Sequence, residues 1–111
     1  MFSVKTSSSF TKAIKRLSKK YPNAPKDVLR IVDSLESGNF IGDAIPGFSQ
    51  RVYKVRIPSS DQKRGKRGGF RLVYYVVMEN RTIYLLTIYA KPKQGNVDPS
   101  LIRKIVDDLY T

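Results

Sequence analysis

Apolar residues along the chain recur first with a helical period and then with a period of two, and the change falls near the middle. Phe10, Ile14, Leu17 and Tyr21 lie at spacings of four, three and four, which stacks them on one face of a helix. Lys12, Lys15, Arg16, Lys19 and Lys20 make the opposite face basic, the polar outer face that any amphipathic helix has. Ser7, Ser8 and Ser9 offer N-cap hydroxyls. Pro22 ends the helix, because it has no N–H to donate and its ring crowds the preceding turn. Val28, Ile31, Val32 and Leu35 form a second stripe. It opens near Asn23-Ala24-Pro25, where Pro suits the first turn, and Gly38 is a natural stop. So short a turn between the two helices predicts an antiparallel hairpin.

Beyond a turn-rich stretch from Asn39 to Gln50, the period becomes two. Tyr53, Val55 and Ile57 alternate with Val52, Lys54 and Arg56, a strand with one apolar face and one face carrying cations. Pro58 to Gly69 reads as a charged, glycine-rich loop. Phe70 to Val77 and Thr82 to Ala90, separated by a turn at Glu79-Asn80-Arg81, predict a β-hairpin. Asp98-Pro99 opens a last helix with Leu101, Ile102, Ile105, Val106 and Leu109 on its apolar face. Phe2 to Lys5 supplies a short first strand. The order β-α-α-β-β-β-α predicts an α+β fold: an N-terminal helical hairpin packed on a small antiparallel-rich β-sheet, with a C-terminal helix. The other sheet face is expected to stay partly open, with the cationic side chains standing on it.

Length and composition narrow the chemistry. A chain of 111 residues is expected to be a single domain spanning 1–111. It contains no Cys and no His. That excludes a thiol nucleophile, a thiolate zinc site and a His-based triad, so any catalysis must use Lys, Arg, Tyr, Asp or Glu. The net charge is +12, more than solubility needs, and points to a polyanionic partner. No apolar run approaches the roughly 20 residues that span a bilayer, and Met1 to Lys5 lacks the apolar core of a secretory signal. A cytoplasmic protein with no membrane partner is expected.

The charge is unevenly placed. Between Arg51 and Arg71 stand eight cations, Arg51, Lys54, Arg56, Lys63, Arg64, Lys66, Arg67 and Arg71, against Asp61 alone. A surface that tracks phosphates would look like this. A solvated loop and a guarded strand edge would account for the loop cations too, but less well for Lys54, Arg56 and Arg71, which lie on strands. Among the aromatic residues, Tyr53, Phe70, Tyr74, Tyr75 and Tyr84 alternate into strand cores. Tyr89 ends its strand beside Lys91 and Lys93 and is a candidate for base stacking.

The helical hairpin pattern, followed by Val52-Tyr53-Lys54-Val55-Arg56-Ile57, by Arg64-Gly65-Lys66-Arg67-Gly68-Gly69-Phe70-Arg71-Leu72-Val73-Tyr74-Tyr75 and by Ile83-Tyr84-Leu85-Leu86-Thr87-Ile88-Tyr89-Ala90-Lys91, resembles the RelE/ParE superfamily of bacterial type II toxin–antitoxin systems. Within it, the RelE- and HigB-like messenger-RNA interferases look most similar. The resemblance implies a compact α+β microbial ribonuclease fold. It also implies a toxin that cuts messenger RNA in the ribosomal A site without a metal or other cofactor. The 2′-hydroxyl attacks the adjacent phosphate and leaves a 2′,3′-cyclic phosphate and a 5′-hydroxyl. The implied partners are an acidic antitoxin, the ribosome and its messenger, and operator DNA reached through the antitoxin. In the RelE pattern a strand reads Tyr-Lys-x-Lys. Here Lys54 keeps the first lysine and Arg56 replaces the second. The pattern's arginine after Gly-aromatic falls on Arg71. The next arginine meets Pro92, leaving Lys91 as the catalytic cation there. The C-terminal tyrosine has no match, and Tyr89 would substitute. Arg51, Lys63, Arg64, Lys66, Arg67 and Lys93 would grip RNA.

The chemistry is workable without His. Cleavage needs a base, charge stabilisation at the phosphoryl oxygens and an acid for the leaving oxygen. Crowded cations make a lysine a better base, and guanidinium groups can engage two phosphate oxygens at once. Two alternatives remain on the same residues: a ParE-like gyrase inhibitor, and a non-catalytic nucleic-acid-binding relative.

Overall fold

A computed structural model describes residues 1–61, 68–90 and 97–110. The elements in chain order are β1 (Ser3–Thr6), α1 (Ser8–Lys20), α2 (Ala24–Glu36), β2 (Asp43–Ala44), β3 (Val52–Ile57), β4 (Phe70–Val77), β5 (Thr82–Ala90) and α3 (Pro99–Asp108). This is the expected order with one addition, the two-residue strand β2, which is too short for its period to show in sequence.

Local chemistry sets the helix ends. The Ser7 hydroxyl accepts from the Phe10 N–H at 3.0 Å and donates to the Leu86 carbonyl at 2.9 Å. One buried serine therefore caps α1 and ties it to β5. At the end of α2, Gly38 has φ +84°. Its N–H reaches the Leu35 carbonyl, and the Asn39 N–H reaches that of Ser34. These are the two bonds of a Schellman closure, for which glycine is suited because its φ is positive.

The sheet has the order β1-β5-β4-β3-β2. β1 pairs with β5 in parallel, and the other neighbours are antiparallel. On one face α1 and α2 bury Phe10, Val28 and Leu35 against Val55, Leu72, Tyr74 and Ile83. On the other, Ile102 and Ile105 of α3 cover Val52, Val73 and Leu86. The second face is thus open only in part. Leu101, expected on the apolar side of α3, is 48% exposed, because the contact stripe runs through Ile102 and Ile105 and Leu101 falls beside it.

The β4–β5 ladder is irregular at one point. Tyr74 pairs with Leu85 and Val73 with Thr87, so Leu86 has no partner and forms a β-bulge. A bulge shifts side-chain parity by one residue. Tyr89 would otherwise share the helical-hairpin face with Ile83 and Leu85. After the bulge it stands on the opposite face.

Candidate functional site

Strand alternation and register bring three of the expected cations, Lys54, Arg56 and Arg71, to one face. Arg56 lies directly opposite Arg71, and Arg71 lies directly opposite Tyr89. These three residues form a row across β3, β4 and β5. Two residues along β3, about 7 Å away, Lys54 begins the neighbouring row, with Asp43 on one side and Val73 on the other. Arg56 is exposed, whereas Lys54, Arg71 and Tyr89 are half-buried. Two arginines facing each other across a strand pair repel. A phosphate between them would relieve that repulsion.

Tyr89 completes the row with a different property. Burial pushes its phenol above the ordinary tyrosine value, partly countered by the Arg71 guanidinium and by a hydrogen bond from the Val97 backbone. The group is therefore a neutral phenol at neutral pH, able to donate a proton.

Lys54 lines an open groove of about 560 Å³ between the β2 segment and the start of α3, with Asp43, Ile45, Pro46, Val97 and Asp98 among its other walls. Asp98 is committed to α3, since its carboxylate accepts from the Ser100 N–H at 2.9 Å. Gly42 sets the approach of β2 to β3. Its φ is +99°, and a Cβ there would sit 2.4 Å from the Lys54 carbonyl oxygen. Asp43 and Gly42 were not among the residues expected from sequence. Their role depends on the β2–β3 contact, and the only local signal was a glycine followed by an acid in a turn-rich stretch.

The remaining expected residues are distributed differently. Arg51 sits just before β3, five residues from Arg56, and pairs with Glu79 of the β4–β5 turn at 3.0 Å. It stands apart from the row. Lys63, Arg64, Lys66, Arg67, Lys91 and Lys93 lie outside the described residues. Asp61, the one acid among the cations, is engaged elsewhere. Its two carboxylate oxygens accept from the Asn23 N–H at 2.8 Å and from Asn23 Nδ2 at 2.9 Å, so it caps α2 from a distance. Next to it, the fully buried Asp27 accepts from the Ser60 N–H at 3.0 Å. Among the described residues its second oxygen has an ionic contact with Arg30 at 3.3 Å and no aligned hydrogen bond. These two carboxylates fasten the segment after β3 to the start of α2.

No family model matches the sequence. Solved structures do resemble the fold. A mutant of the E. coli toxin RelE in its free state superposes with a TM-score of 0.54 at 20% identity, covering 97% of each chain. The intact E. coli RelBE toxin–antitoxin complex gives a TM-score of 0.58 at 21% identity, covering 85% of this chain and 100% of that one. A conserved hypothetical protein from Helicobacter pylori gives 0.55 at 18% identity, over 80% and 93% of the two chains. The α+β architecture found here is the RelE fold.

Proposed function

We propose that this protein is the toxin of a type II toxin–antitoxin system and acts as a ribosome-dependent endoribonuclease on messenger RNA in the A site. The observation that carries the reading is the Arg56–Arg71–Tyr89 row beside Lys54, on a RelE fold. In the proposed reaction the Lys54 amine takes the proton of a 2′-hydroxyl, and that oxygen attacks the adjacent phosphorus. Arg56 and Arg71 hold the non-bridging oxygens as charge builds on them. The bond from phosphorus to the 5′ oxygen breaks, and the Tyr89 phenol protonates the departing oxygen. The products are a 2′,3′-cyclic phosphate and a 5′-hydroxyl. Solvent then returns a proton to Tyr89 and removes one from Lys54, so no metal is needed to balance the step. Alignment of the messenger by the ribosome supplies the in-line geometry.

The same reading makes an acidic antitoxin the natural inhibitor, since it must cover a surface of net charge +12. Such a partner can wrap the toxin by folding on it. Among the described residues no helix is long and apolar enough to cross a membrane, which suits a protein that works on cytoplasmic ribosomes.

The test is Lys54→Ala and Arg71→Ala in a translation extract, with 5′ ends of the messenger mapped and folding checked by circular dichroism. Loss of cleavage in both supports the assignment. Full activity in both, or trapping of gyrase–DNA cleavage complexes with no RNA cut, overturns it.

A further inference from the structure

A second groove lies where α1 crosses the end of β5. Arg16 and Lys20 line it with Leu17 of the helix, Tyr21 just after it, and Ile88 and Tyr89 from the strand. No acid lines it among the described residues. Its position arises from two features of the fold. β1 pairs with β5 only as far as Leu85, so beyond that point no described strand borders this edge of β5. The Ser7 bonds to Leu85 and Leu86 start α1 at the same point, and the helix runs on toward Ala90. The cationic last turn of α1 is thereby delivered to the strand residues flanking Tyr89.

Tyr89 therefore borders both regions. Across the sheet it faces Arg71, and at the strand edge it lines the groove with Arg16 and Lys20. Arg16 and Lys20 are one helical turn apart, about 6 Å, a spacing that an extended sugar–phosphate backbone can track. The Lys20 ammonium lies 5.5 Å from the centre of the Tyr21 ring, within cation–π range. The other cations of α1, including Lys15 and Lys19, do not line the groove.

We propose that the α1–β5 groove is a binding subsite for single-stranded RNA, in which Arg16 and Lys20 hold phosphates of the strand as it leaves the Arg71–Tyr89 row. This extends the RNA-cleavage reading and rests on it. It also separates Arg16 and Lys20 from the solvated face to which periodicity alone assigns them. RNA is favoured over an acidic peptide because the groove meets the row of facing arginines at Tyr89, around the edge of β5, so one strand can track the cations of both.

The test uses a fluorescent twelve-nucleotide 2′-O-methyl oligoribonucleotide, which cannot be cleaved, titrated at several salt concentrations. The double variant Arg16→Gln/Lys20→Gln is expected to weaken binding. It should also flatten the slope of log K against log salt by about 1.4, the value for two lost phosphate contacts on a single strand. Lys15→Gln/Lys19→Gln removes the same charge from the same helix and is expected to leave the slope nearly unchanged. Equal effects of the two double variants would reduce the groove to a diffuse field and overturn the proposal. So would a loss of binding to a polyglutamate peptide with RNA binding intact, which would assign the groove to an acidic protein. Because the readout is binding, it is independent of the cleavage assay. Intact RNA binding in Arg16→Gln/Lys20→Gln with cleavage lost in Arg71→Ala would sink the subsite and leave the proposed function standing. Weakened binding with full cleavage in both Lys54→Ala and Arg71→Ala would do the reverse.

Discussion

The facing pair Arg56–Arg71 predicts that one substitution separates stability from activity. Arg71→Gln keeps most of the side-chain stem and removes the charge. Among the described residues, the Arg71 side chain makes a long hydrogen bond, 3.4 Å to the Phe70 carbonyl, whose loss costs little. Relief of like charges directly opposite on neighbouring strands contributes about 0.2–1 kcal/mol. The variant should therefore be more stable by roughly 0.5 kcal/mol, or about 2 °C in Tm for a domain of this size. Salt screens the repulsion, so the gain should be largest in dilute buffer and nearly absent at 1 M NaCl. Cleavage should move the opposite way. Removing one donor to a charged transition state costs about 100- to 1,000-fold in rate. The measurements are thermal unfolding at both salt concentrations and single-turnover cleavage on programmed ribosomes. A loss of more than 1 kcal/mol in stability, or a gain that persists unchanged at high salt, would refute the view that repulsion is stored in the row.

Other residues carry expectations of their own. Tyr89→Phe should leave the fold intact and lower cleavage about 10- to 1,000-fold, the scale of lost acid catalysis and phosphate contact. Burial raises the pKa of this phenol, so its acid form persists through neutral pH and is lost only above the ordinary tyrosine value near 10. A wild-type pH–rate profile showing loss of an acid between pH 7 and 9 would contradict the role. Gly42→Ala puts a Cβ against the Lys54 carbonyl at a positive φ. It should destabilise by about 1–3 kcal/mol in urea unfolding and reduce cleavage by displacing β2 from Lys54. Asp27→Ala removes the acceptor of the Ser60 N–H and should cost about 1–3 kcal/mol in the same unfolding assay. Ser60→Ala, which keeps the N–H, should cost less.

Much of the fold was legible in the chain. The stripe Phe10-Ile14-Leu17-Tyr21 and the stripe Val28-Ile31-Val32-Leu35 became α1 and α2, because a period near 3.6 has one stable way to bury itself. Ser7, Gly38 and Asp98 mark helix ends through bonds made within a few residues, and Pro25 marks the first turn of α2 through its fixed φ. β3, β4 and β5 fall within the predicted runs. The shared face of Lys54, Arg56 and Arg71 was partly legible as well, since alternation fixes parity within each strand and a hairpin carries it to the next.

What the sequence alone determined is therefore whatever depends on neighbours along the chain: the elements, their caps and the concentration of cations from Arg51 to Arg71. Tertiary structure decided the rest. Register between β3 and β4 set Arg56 against Arg71. The bulge at Leu86 turned Tyr89 toward Arg71, and no local pattern announces a residue that is unpaired only relative to another strand. The β4–β5 turn gave Arg51 a partner in Glu79, and capping of Asn23 by Asp61 joined two residues 38 positions apart. The parallel pairing of β1 with β5, closed through Ser7, carried the basic end of α1 to Tyr89. Each of these is a contact between residues distant in sequence. Its energy depends on the relative placement of two elements, and the periodicity of either one does not encode that placement.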